Sequence, residues 1–189
     1  MRFVPAGDFK AMPWKNGLGV TREVALGGDP AAFDWRVSIA TVGASGPFSA
    51  FPGIERTIAV LRGEGMLLDV DGARHELLAS GEPFSFAGEA KVHADCIGGE
   101  TTDLNIMTRR AAFTHEMTRL RPAEPFIFTG PAGLTFLICN GSFRLEIAGK
   151  DHAAQPLDAV CDIAEGDRLR IDPQGRADLF QITVMQAAH

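Results

Sequence analysis

The chain has 189 residues, 46% hydrophobic and 22% charged, enough to bury the core of one domain or two small ones. A formal net charge of −6 disfavours a nucleic-acid phosphate backbone as partner, and no run approaches the roughly 18 consecutive apolar residues of a membrane span. Three cysteines, Cys96, Cys139 and Cys161, lack CxxC spacing and are odd in number, which argues against a disulfide framework or a structural zinc site.

The opening residues Met1 to Asp8 hold no apolar signal core, so the cytoplasm is the expected compartment. The first distinctive feature is Met12-Pro13-Trp14-Lys15-Asn16-Gly17-Leu18-Gly19-Val20-Thr21-Arg22-Glu23, which puts an aromatic, a cation, an amide and two glycines into one turn. Such a turn suits a ligand, although a polar hairpin over a tucked Trp uses the same residues. Next comes Phe33-Asp34-Trp35-Arg36-Val37-Ser38-Ile39-Ala40, where Trp35, Val37 and Ile39 alternate with Asp34, Arg36 and Ser38 as in a strand with one apolar face. The segment Gly46-Pro47-Phe48-Ser49-Ala50-Phe51-Pro52-Gly53-Ile54-Glu55-Arg56 adds aromatics suited to core or wall. In Asp103-Leu104-Asn105-Ile106-Met107-Thr108-Arg109-Arg110, Leu104 and Ile106 alternate with Asp103, Asn105 and Met107. The basic residues Arg109, Arg110, Arg119 and Arg121 read as a surface linker and not as a nucleic-acid face. Towards the end, Phe180, Ile182 and Val184 alternate with Gln181 and Thr183.

This period of two, with turn residues at short intervals, predicts an antiparallel all-β sandwich or barrel with little room for helix. An internal repeat aligns residues 58–72 with 136–149, placing Gly63 on Gly141 at equivalent turns, and Gly81-Glu82 with Gly166-Asp167. Strand, glycine turn, strand, loop, then Gly-acid before another strand is how a cupin jelly-roll half reads. Two tandem jelly-roll halves, a bicupin, are therefore expected over residues 1–115 and 116–189. A crossover is expected around residues 113 to 125, where Pro122 and Pro125 would interrupt a strand.

The blocks at residues 12–23, 33–40, 46–56 and 103–110 together closely resemble the HutD/Ves family of cupin-like proteins. The resemblance covers about residues 12 to 110, and the C-terminal third matches only in strand-and-glycine texture. Family members typically carry three glycines after the Asn, and Leu18 replaces the middle one, which puts in doubt any role needing a bare glycine there. Resemblance to HutD implies a connection to bacterial histidine utilisation, and resemblance to Ves a stress-linked role. It transfers no catalytic set.

A metal-dependent cupin would show His-x-His, a carboxylate and a further His, and this chain has no His-x-His. His93 and Asp95, two apart, are the one pair that keeps an Fe(II) site open as an alternative; a polar strand edge explains them as well. No Gly-x-Ser-x-Gly elbow is present, and the cysteines read as core thiols.

What remains is a set of donors and cations on polar strand faces. Arg36 shares a face with Ser38; Asn105, Met107 and Arg109 share another; Lys15, Asn16 and Thr21 flank the glycine turn. Converging, they would form a ligand-binding pocket for a small anion, while for each Arg alone a solvated face or a salt bridge, such as Arg36 with Asp34 or Glu55 with Arg56, is the simpler account. The expected function is binding of a carboxylate-bearing metabolite such as urocanate, a formylated or formiminated glutamate, or formate. Neither metal nor other cofactor is expected, the role is more sensor or regulator than enzyme, and a homodimer is left open. The alternatives are an enzyme of the same pathway, metal-free through Lys15 or iron-dependent through His93 and Asp95, and a purely structural partner protein.

Overall fold

The computed structural model describes residues 1–14 and 17–188. In chain order it comprises β1 (Arg2–Val4), a 3-10 turn (Ala6–Asp8), β2 (Lys10–Pro13), β3 (Gly19–Asp29), β4 (Ala32–Val42), β5 (Gly46–Pro47), β6 (Ile54–Arg62), β7 (Gly65–Val70), β8 (Ala73–Leu78), β9 (Phe84–Ala87), β10 (Val92–Ile97) and β11 (Thr101–Arg109). There follow β12 (Phe113–Leu120), β13 (Phe126–Thr129), β14 (Leu134–Asn140), β15 (Phe143–Ile147), β16 (Lys150–Ala154), β17 (Ala159–Ile163), β18 (Arg168–Pro173) and β19 (Asp178–Gln186). No α-helix occurs among the described residues, so the expected all-β class holds.

Two compact units emerge. The first is built on Lys10–Thr114 and the second on Met1–Phe9 together with His115–Gln186. In the first, a six-stranded sheet runs β2-β3-β4-β11-β6-β9 and a four-stranded sheet runs β5-β10-β7-β8. In the second, a five-stranded sheet runs β1-β17-β14-β19-β12 and a four-stranded sheet runs β13-β18-β15-β16. Each unit packs its two sheets around a shared core. Ile58 and Val60 of β6 meet Met66, Leu68 and Ala94 in the first; Leu137 and Val160 meet Phe143, Leu145 and Ile171 in the second. Strict alternation makes the inward face: in β15, Phe143, Leu145 and Ile147 are buried while Arg144 and Glu146 are exposed. Gly63 and Gly141 both sit in the short links, β6 to β7 and β14 to β15, that carry the chain from one sheet of their unit to the other.

Two expectations need correction. The N-terminal strand does not belong with the first half: β1 pairs antiparallel with β17, Arg2 opposite Cys161 and Val4 opposite Ala159. Phe3 packs against the second core and meets the His152 ring, tilted by 37°, at 4.7 Å between centres, and Arg2 Nε lies 2.6 Å from Asp162. The stretch expected as a crossover is largely strand β12, because its prolines lie beyond the strand's end instead of within it. Arg119 is accordingly no linker residue: it is 9% exposed, bonded to Asp178, with its guanidinium 5.4 Å from the Phe180 ring centre.

Candidate functional site

The glycine-rich segment joins β2 to β3, and its Lys15 and Asn16 lie outside the described residues. Around them the geometry is explicit. Gly17 has φ +71°, a left-handed conformation that favours glycine, and the Gly17 N–H donates to the Trp14 carbonyl at 3.0 Å. At Gly19 a Cβ would stand 2.6 Å from the Thr41 carbonyl oxygen and 2.9 Å from the Trp14 ring, so glycine there is what lets the indole lie down. Trp14 Nε1 then donates to Thr21 Oγ1 at 2.8 Å. Leu18 does not take a left-handed φ, so its Cβ causes no backbone strain in the place where the family's middle glycine was expected.

The interior face of the six-stranded sheet carries the site. β11 lies between β4 and β6, and the registers set Arg36 beside Met107 beside Arg56 in one row. Ser38, Asn105 and Ile58 form the next row, and Ala40, Asp103 and Val60 the one beyond, with Thr21 of β3 alongside Ala40. Successive rows stand about 7 Å apart, two residues along a strand. Beside this face opens a cavity of about 530 Å³, walled by Trp14, Phe48 and Phe51. A second cavity of about 670 Å³ adjoins it, sharing Met12, Arg36 and Phe51 and having Arg109 on its far wall.

The dominant charge is Arg56. It is 5% exposed, with its guanidinium 4.9 Å from the ring centre of Phe86, 5.2 Å from Phe48 and 5.7 Å from Phe51. One Nη donates to Asn105 Oδ1 at 2.9 Å, and no described group accepts from the buried Nε. Burial, with Arg36 adding repulsion, brings its pKa down to about 10, so it remains a cation at neutral pH. Asn105 relays the charge onward, its Nδ2 donating to Asp103 Oδ1. Asp103 is 1% exposed, and burial pushes its pKa up to about 7 against the opposing pull of Arg56 and of that hydrogen bond. Arg36 Nε lies 3.2 Å from Glu23, at ion-pair distance without an aligned hydrogen bond.

Of the residues singled out from sequence, Thr21, Arg36, Ser38, Asn105 and Met107 line the first cavity. Arg109 does not; it opens on the second cavity, bonded to Asp34, because its row lies one step beyond Arg36. The simpler pairings also change: Arg36 meets Glu23 instead of Asp34, and Glu55 meets Arg110 instead of Arg56. Arg56 and Asp103 were missed. Asp103 was legible, since it shares the alternation of Asn105 and Met107; Arg56 was hidden by its neighbours, being set two residues before Ile58 on a strand buried on both faces.

A cupin-like fold raises the question of a metal. Among the described residues no three His, Cys, Asp or Glu side chains gather closely enough to hold one. His93 and Asp95 contact each other at 3.4 Å but stand half-exposed, and Met66 and Leu68 fill the interior of β7. Among the described residues the donor set does not fit a metal centre. All three cysteines are free thiols.

The family model HutD matches residues 6–180. The chain belongs to the HutD family. This HutD-family chain is 41% identical over 187 residues to an uncharacterized 21.2 kDa protein in the hutC 3′ region of Pseudomonas putida, covering 96% of this chain and 97% of that one. It is 38% identical over 145 residues to Protein Ves of Citrobacter koseri, 73% and 74% covered. Among solved structures, HutD from Pseudomonas fluorescens SBW25, in a formate condition, superposes with TM-score 0.80 at 29% identity over 99% of both chains. A Cupin 2 conserved barrel domain protein from Leptotrichia buccalis gives TM-score 0.60 at 9% identity over 88% and 89%, a likeness of fold alone. The HutD-family fold is thus all-β and cupin-like.

Proposed function

We propose that the protein binds a small carboxylate-bearing metabolite in the first cavity, without a transition metal, in a sensor or regulatory role linked to histidine utilisation or stress. In this reading the two units are the halves of a bicupin acting in the cytoplasm. One observation carries it: a buried guanidinium, Arg56, has three aromatic rings and an amide as its contacts and, among the described residues, no carboxylate bonded to it and no acceptor for its Nε, beside a cavity. A buried donor left open in this way calls for a partner, and a carboxylate matches a guanidinium with two parallel bonds. Arg36, in the same row, offers a second cation. Trp14, Phe48 and Phe51 give an apolar body somewhere to lie. The relatives' names, one set by its place in the hutC 3′ region and another HutD, support the link to that pathway.

A thermal-shift series with formate, succinate and urocanate tests this. A ligand at 100 times its Kd stabilises the native state by about 2.7 kcal/mol, and that gain is expected to vanish in Arg56→Met. Stabilisation that survives in Arg56→Met and in Arg36→Met would overturn the assignment.

A further inference from the structure

Among the described residues the first cavity is lined by three ionisable side chains, Arg36, Arg56 and Asp103, and Glu23 stands against Arg36 from β3. With all four ionised, the two cations and two anions cancel, and such a face has no net attraction for an anion. One proton on Asp103 changes this to an excess of one positive charge. Asp103 is placed to accept that proton: it lines the cavity, is 1% exposed, and is tied to Arg56 only through the side chain of Asn105. The groups that act on it are Arg56 from β6, with Arg36 of β4 behind that cation, and on the β10 side Cys96, a thiol whose own ionisation Asp103 opposes.

We propose that the cavity is a proton-coupled anion site, in which an anion entering beside Arg36 and Arg56 binds together with one proton taken up from solvent by Asp103. The inference rests on the carboxylate reading above and adds its regulation. The physical cause is competition for one cation. Arg56 favours the ionised form of Asp103, and an anion that neutralises Arg56 removes this support, so the buried carboxylate is left where only its neutral form is stable. The free carboxyl already stands near half-protonation at neutral pH, its pKa held at about 7, so the coupling falls in the physiological range.

The test uses sodium formate as the probe on the full chain, titrated by calorimetry across about pH 6 to 8 in buffers of different ionisation enthalpy. Uptake of about one proton per formate is expected above neutrality, with affinity falling about tenfold per pH unit there. In Asp103→Asn the affinity should not vary with pH. A flat wild-type profile, or a pH dependence that persists in Asp103→Asn, would overturn the coupling while leaving the carboxylate site standing. Absence of any formate binding to the wild type at about pH 6 would overturn both. Should Asp103→Asn fail to fold, the Asp103 side-chain carboxyl can be followed in the wild type by carbon NMR. A titration midpoint that rises with formate supports the proposal, and one that does not move contradicts it.

Discussion

Each unit buries one arginine against aromatic surface, and the two are satisfied differently. In the second unit Arg119 is bonded to Asp178 and rests on Phe180, an ion pair that serves packing. In the first unit Arg56 has three phenylalanine rings and the Asn105 amide, and the carboxylate Asp103 is one side chain removed and reluctant to ionise. One cation is spent on the fold and the other is left available at a cavity. In the proposed reading, the same two-sheet framework becomes a site where polar residues line one interior face.

If that contrast is right, the units respond to pH in opposite senses, and this is the largest effect expected. Burial brings the pKa of His115, in the second unit, from 6.5 down to about 4, so its contribution to stability is complete above 6.5 and is lost as pH falls through 4. Asp103 goes the other way: its pKa is raised from 3.8 to about 7, and its contribution is complete below 3.8 and is lost as pH rises through 7. Between about pH 4 and 6.5 the two slopes, each approaching about 1.4 kcal/mol per pH unit, oppose one another. Relative to wild type, Asp103→Asn should therefore gain stability as pH rises across this window, and His115→Gln should lose it, as measured by urea unfolding at each pH.

Core truncations sharpen the comparison next. Leu145→Ala in the second core, where the side chain is 1% exposed, should cost about 2–5 kcal/mol, whereas Met107→Ala, beside open space, should cost no more than about 2 kcal/mol. For the arginines themselves, Arg119→Met takes from Asp178 its bonded partner, leaving Arg121 at 3.9 Å, and should lose about 2 kcal/mol. That is less than a fully buried pair would lose, because the Asp178 side chain is 22% exposed. Arg56→Met exchanges a desolvated cation for an apolar chain among phenylalanines and should unfold within about 1 kcal/mol of wild type. An Arg56→Met variant as damaged as Arg119→Met would show that both cations serve the fold.

The fold class and part of the cavity lining, but not this contrast, could be read from the sequence. Alternation gave the all-β class and put Arg36 with Ser38 and Asn105 with Met107 on single faces, because side-chain direction follows from strand geometry alone. It could not show Arg56, whose strand is buried on both faces, nor the bonding of Arg119, whose partner is 59 residues away. The return of β1 to the second unit was equally hidden, since a three-residue strand carries no periodicity of its own. His93 and Asp95 were attractive by spacing and prove half-exposed. His93→Ala should change stability by no more than about 0.5 kcal/mol and leave carboxylate binding as it is, the smallest effect expected.

The central claim is that Arg56, and not buried arginine in general, is available to a ligand. Nitrogen NMR of the arginine Nε–H groups during a formate titration tests it most directly, with Arg119 as the control in the same molecule. The account predicts saturable shifts at Arg56 and Arg36 with a common dissociation constant, and none at Arg119. Shifts absent from Arg56, or matched in size at Arg119, would contradict it.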